Sequence, residues 1–120
     1  MHRRLAFLIC AFAFAPTIAH ADANHDCNQK ETTADITECL AEKTATLDGI
    51  IDALVDEEAS GAEPNVAGAV NAAQTAWLAY REAACLVYRL GEGTIAAIEA
   101  GECRVRLSGQ RLGELRHAHQ

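Results

Sequence analysis

Gln74-Thr75-Ala76-Trp77-Leu78-Ala79-Tyr80-Arg81-Glu82-Ala83-Ala84-Cys85, followed by the turn Gly91-Glu92-Gly93-Thr94 and then by Cys103, is the stretch whose reading decides the fold. It joins a tryptophan, an arginine and two cysteines at helical spacing, with glycines where a helix must stop. Apolar residues recur at threes and fours through Val66, Val70, Ala73, Trp77, Tyr80, Ala84 and Val87, which predicts a helix from about Val66 to Leu90 with that stripe turned inward. Beyond the turn, Thr94 can cap a further helix, and Ile95, Ile98, Leu107, Leu112 and Leu115 give it an intermittent apolar stripe. Gly101 and Gly109 are expected to kink or soften that helix, since glycine costs about 1 kcal/mol in a helix interior relative to alanine.

Working back toward the start, Thr32-x-x-Asp35 reads as a capping-box-like opening, and Ile36, Leu40, Leu47, Ile51 and Leu54 follow on one stripe. Gly61 and Pro64 end this helix and begin the next. No alternating strand pattern, internal repeat or low-complexity tract interrupts the sequence. The predicted fold is all-α, a small antiparallel bundle of three or four helices.

Met1 to Ala21 reads as a secretory signal peptide. His2, Arg3 and Arg4 form a basic start, Leu5 to Ala15 an apolar run, and Ala19-His20-Ala21 an A-x-A cleavage site. The apolar run falls short of the roughly 20 residues a membrane span needs, so no membrane insertion is expected after cleavage. Cys10 lies inside that run behind Ile9, where a lipoprotein anchor would need a small residue. Residues 22–120 then form a single small domain, periplasmic or secreted.

With Cys10 removed, Cys27, Cys39, Cys85 and Cys103 remain, an even set in an oxidising compartment. Four cysteines allow three pairings, and spacing favours the local one. Cys85 and Cys103 flank the glycine turn at similar height on an antiparallel helix pair, while Cys27 lies just ahead of the helix that carries Cys39. Zinc is the alternative use of these thiols with His25, His117 or His119, but no CxxC or HxxxH spacing is present. No cofactor motif is found.

The full chain carries a net charge of −7 and loses Arg3 and Arg4 with the signal, so the mature protein is more acidic still. The charge therefore argues against nucleic acid and anionic lipid as partners. Twelve of the 17 acidic residues lie between Asp22 and Glu63, against only Lys30 and Lys43. Such a surface either keeps an exported protein soluble or docks a cationic partner.

Three blocks together carry a family resemblance: Thr33-x-x-Ile36-x-x-Cys39, the Gln74 to Cys85 stretch, and Cys103 with Leu107-Ser108-x-x-Arg111-x-x-x-Leu115. In this order the chain resembles the lysozyme inhibitor LprI-like N-terminal domain family over nearly all of its mature length. It departs from the family's pattern at Leu47-Asp48-x-x-Ile51, where L-N-x-x-Y is usual, and at Gly91-Glu92-Gly93-Thr94, where G-G-S is usual. The resemblance implies a small exported helical domain and, for at least one member, inhibition of lysozyme.

Trp77 and Arg81 stand one helical turn apart, so the guanidinium can lie on the indole or reach a carboxylate of a neighbouring helix. Trp77, Tyr80, Arg81 and Arg111 are assigned to the structural core, with Arg111 expected to form an interhelical ion pair with Asp48 or Asp52. Asp52, Asp56 and Glu57 on the acidic helix, and Gly91, Gly93 and Thr94 in the turn, are the candidate partner-binding residues. Catalysis has little support: the mature chain holds only Ser60 and Ser108 as serines, no G-x-S-x-G, and no apolar pocket signal that would raise a carboxyl pKa. Two readings remain, an inhibitor of a cationic lysozyme or related cell-wall hydrolase, and a non-inhibitory structural or regulatory envelope protein binding another cationic or peptidic partner. Nothing in the sequence fixes the oligomeric state.

Overall fold

The computed structural model describes residues 25–118, so the expected signal peptide, the cleavage site and His119 lie outside the described residues. Four helices follow one another: α1 (His25–Asn28), α2 (Thr33–Ser60), α3 (Pro64–Arg89) and α4 (Ile95–Ala118). The three long ones run up, down and up, so α4 lies parallel to α2 and antiparallel to α3. No described helix is long and apolar enough to cross a membrane.

Local chemistry sets the boundaries. The Thr32 hydroxyl accepts the Asp35 backbone N–H at 3.1 Å and donates to the Asp35 carboxylate at 2.7 Å, closing the N-terminus of α2. Pro64 opens α3 at a position that needs no N–H donor. The α3–α4 turn passes through Gly93 at φ +76°, a left-handed conformation that favours glycine. Both disulfides form as the spacing predicts: Cys27–Cys39 with Cα atoms 5.5 Å apart, and Cys85–Cys103 with Cα atoms 5.6 Å apart.

Three apolar clusters stack along the bundle. Leu40 and Val105 pack on Cys27 near the start of α2, Cys85, Cys103 and Leu107 pack between α3 and α4, and Ile51, Val55, Leu112 and Leu115 close the far end. Trp77 is half-buried and touches the second and third of these.

The rotation of α3 differs from the predicted one. Tyr80 is 59% exposed and Val87 72% exposed, while Gln74, Arg81 and Cys85 turn inward. The bridge to Cys103 explains this. At about 100° per residue, fixing Cys85 toward α4 carries Gln74 and Arg81 to within about 40° of it and sends Tyr80 and Val87 about 140–160° away. Tyr80 is therefore not a core residue. Ile95, also assigned to an inward stripe, is exposed, and α4 buries Ala96 and Ala100 instead.

None of the three glycines of α4, Gly101, Gly109 and Gly113, interrupts the helix. At Gly101 the Leu40 side chain of α2 comes so close that an added Cβ would lie 2.9 Å from Leu40 Cδ1 and 3.1 Å from Leu40 Cβ. Around Gly109 the same atom would meet nothing within 4 Å. One glycine is thus a packing requirement and the other is not.

Candidate functional site

Arg81 is the centre of the interior polar chemistry. Its Nη1 donates to Asp48 Oδ1 on α2 at 2.6 Å and to Ser108 Oγ on α4 at 2.8 Å, and the Ser108 hydroxyl donates onward to the same Asp48 oxygen at 3.2 Å. Arg81 and Ser108 are buried, and Asp48 is half-buried. A charge at this depth is tolerated because its donors meet acceptors on both neighbouring helices. The guanidinium also lies over the Trp77 ring, 5.1 Å from its centroid. This arrangement ties three helices together. On its open side Asp48 borders a groove between α2 and α4 lined also by Thr44, Ala100, Gly101 and Arg104.

Arg111 approaches the same indole at 5.9 Å. Its expected pairing with Asp48 or Asp52 is corrected: Nε donates to Gln74 Oε1 at 3.3 Å, and Nη1 pairs with Glu114 at 3.4 Å. Asp48 is already held by Arg81, and Asp52 points to solvent. The structure thus brings Trp77, Arg81 and Arg111 together and leaves Tyr80 out.

Nearer the surface, Arg104 of α4 reaches Glu82 of α3 at 3.0 Å. The Arg104 hydrogen bond, with help from the charges of Arg104 and Arg81, holds the Glu82 carboxyl below its ordinary range. The Lys43 hydrogen bond does the same for Asp26, tying α1 to α2 beside the first disulfide. Asp26, Cys27 and Cys39 converge closely enough to suggest a metal cluster, but the two sulfurs are bonded to each other.

The candidate partner-binding residues are all exposed but do not form one patch. Asp48 and Arg81 mark a shared height. Asp52, Asp56 and Glu57 lie along α2 on one side of it, and Gly91, Gly93 and Thr94 lie beyond α3 on the other. At 1.5 Å per residue the two groups are separated by roughly 20–27 Å along the bundle axis. A denser acidic surface went unselected by sequence reasoning. Glu31, Asp35, Glu38 and Glu42 recur at fours and threes and line a shallow depression with Lys30 beside Cys39. Their helical spacing was the available signal.

The family model described as lysozyme inhibitor LprI matches residues 24–115, which takes in both disulfides, the Arg81 network and all three long helices almost to the end of α4. No curated protein and no solved structure gives a significant match. On a match over most of its length, the chain belongs to the lysozyme inhibitor LprI family.

Proposed function

We propose that this is an exported protein that binds and inhibits a cationic lysozyme or a related cell-wall hydrolase. The observation that carries the reading is family membership across residues 24–115. Charge supports it: the chain is at −7, and its carboxylates are concentrated on the exposed face of α2, so a cationic enzyme would be steered toward that helix. The acids of α2 make the approach, and either the α2 end bearing Asp52, Asp56 and Glu57 or the Gly91–Thr94 turn occludes the cleft. Because these elements lie at opposite ends of the bundle, they can be tested separately.

The experiment is a peptidoglycan lysis assay with a cationic lysozyme and the oxidised protein. Exposed ion pairs are worth about 0–1 kcal/mol each, so an inhibitor must hold on by more than charge. Protection is expected to persist near 0.15 M salt, where the Debye length is about 8 Å, and to weaken as salt rises. The combined substitution Asp52→Asn, Asp56→Asn and Glu57→Gln should reduce it if that end is the contact, and Glu92→Lys with Thr94→Lys if the turn is. Equal protection by an unrelated protein of the same charge, or none at 0.15 M salt, would reject inhibition in favour of a non-inhibitory envelope protein.

A further inference from the structure

The groove that Asp48 borders runs along the junction of α2 and α4, where Leu40 packs against Gly101, and holds about 520 Å³. That volume suits a small organic ligand. Its two walls differ in chemistry. The α2 wall offers acceptors: Arg81 and Ser108 both bond Asp48 through Oδ1, which leaves Oδ2 without a hydrogen bond among the described residues. Thr44 gives its hydroxyl hydrogen to the Leu40 carbonyl at 2.9 Å, so its oxygen is left to accept. The facing wall offers donors. Arg104 of α4 spends Nε and Nη2 on Glu82 and keeps Nη1, while the Arg89 guanidinium of α3 pairs with no group among the described residues. Between these poles the lining is uncharged, with methyl groups of Ala41, Ala45, Ala97 and Ala100.

We propose that this groove binds a short peptide of two or three small residues, its ammonium on Asp48 Oδ2 and its carboxylate on Arg89 and Arg104. The separation of the poles sets the length. Arg104 lies four residues before Ser108 and Arg89 eight residues after Arg81, so the two guanidiniums stand about 6 Å and about 12 Å along the bundle from the level of Asp48. An extended chain spans about 3.3–3.6 Å per residue, which makes two or three residues the right reach and a single amino acid too short. A peptide amide N–H passing Thr44 meets its hydroxyl oxygen. A simple cation or anion would satisfy one wall and face like charge on the other, whereas a zwitterion satisfies both. None of these residues is among the α2 acids or turn residues assigned above to the enzyme, so the peptide site stands whether or not the protein inhibits lysozyme.

The test is titration of the oxidised, isotope-labelled protein with trialanine, followed through its backbone amide resonances. Saturable shifts at Ala41, Ala45, Ala97 and Ala100 are expected by the millimolar range. N-acetyl-trialanine lacks the ammonium that meets half-buried Asp48 and should bind about tenfold more weakly. Trialaninamide lacks the carboxylate and should lose about threefold, since Arg89 is exposed. Arg89→Met should reproduce that second loss with trialanine and add little to it with trialaninamide. Ala41→Leu fills the groove from an exposed helical position and should abolish binding while circular dichroism stays helical; Ala45→Leu is the second variant should the first fail to fold. The absence of saturable shifts, equal binding of the three peptides, shifts centred on the acidic depression of Glu31 to Glu42, or unchanged affinity in both groove-filling variants would overturn the inference. So would an Ala41→Leu protein that loses lysozyme inhibition when the parent binds no trialanine, which would give the groove to the enzyme.

Discussion

Gly101→Ala and Gly109→Ala make the same chemical change in the same helix and should act in opposite directions. Alanine is favoured over glycine by about 0.5–1 kcal/mol in a helix interior, through reduced freedom of the unfolded chain and better helix propensity. At Gly109 nothing lies within 4 Å of the added methyl, so that gain should appear undiminished. At Gly101 the methyl would sit 2.9 Å from Leu40 Cδ1 and 3.1 Å from Leu40 Cβ. Rotating the Leu40 side chain relieves only the first contact, and Leu40 is fully buried with nowhere to turn. Overpacking of this kind typically costs about 1–3 kcal/mol, which outweighs the helical gain and leaves Gly101→Ala about 1 kcal/mol less stable than the parent. Thermal and guanidinium unfolding of the oxidised proteins would resolve the two variants, since 1 kcal/mol shifts the midpoint of a domain this size by about 4–8 °C. In a Leu40→Ala background the 2.9 Å contact to Cδ1 is gone while the 3.1 Å contact to Cβ stays, so the cost of Gly101→Ala should shrink. A Gly101→Ala protein as stable as the Gly109→Ala protein would refute the close approach of α2 and α4.

Arg81→Met should destabilise by about 2–3 kcal/mol in chemical unfolding, less than the 3–5 kcal/mol of a fully buried pair because water reaches Asp48, whose side chain is 27% exposed; adding Asp48→Asn should recover part of the loss. Trp77→Ala should lower stability by about 3 kcal/mol, at the low end for a large aromatic because the ring is half-buried, and a variant with unchanged melting temperature but lost lysozyme binding would move Trp77 from packing to recognition. Glu82 has its folded pKa held below the ordinary 4.5 by Arg104 and Arg81, so the stability it contributes is present above about pH 4.5 and lost as pH falls through the lower folded value. Glu82→Gln should therefore be less stable than the parent at neutral pH and converge with it in acid; a gap that is constant with pH would contradict the Arg104 contact.

What was local in the chain was legible in the sequence. Thr32 and Asp35, Pro64, and the Gly91–Thr94 turn announce helix ends through their own backbone preferences, and each disulfide joins cysteines separated by a single turn of chain. The rotation of α3 was not legible, because the helix carries apolar residues on two faces and hydropathy favours the wrong one. Its inward face includes Arg81, which finds acceptors on α2 and α4, and Gln74, whose Oε1 accepts from Arg111 while its buried Nε2 has no partner among the described residues. The close approach at Gly101 was hidden for a related reason. A glycine demanded by a neighbouring helix looks the same in sequence as one that merely weakens its own. The acidic residues were individually visible, but the distance of Asp52, Asp56 and Glu57 from the Gly91–Thr94 turn depends on which helix runs in which direction.

The positions of the two disulfides also decide how the protein responds to a single cut. A nick between α1 and α2 falls within the loop closed by Cys27–Cys39, and one between α3 and α4 falls within the loop closed by Cys85–Cys103, so either leaves one covalent molecule. The turn at Gly61 to Glu63 lies inside neither loop. Cleavage there releases two separate chains, held together only by packing and by the hydrogen bonds that Arg81 and Ser108 make to Asp48. Three turns of similar length thus carry unequal risk from a protease, and the one just before Pro64 is the connection that has no covalent backup.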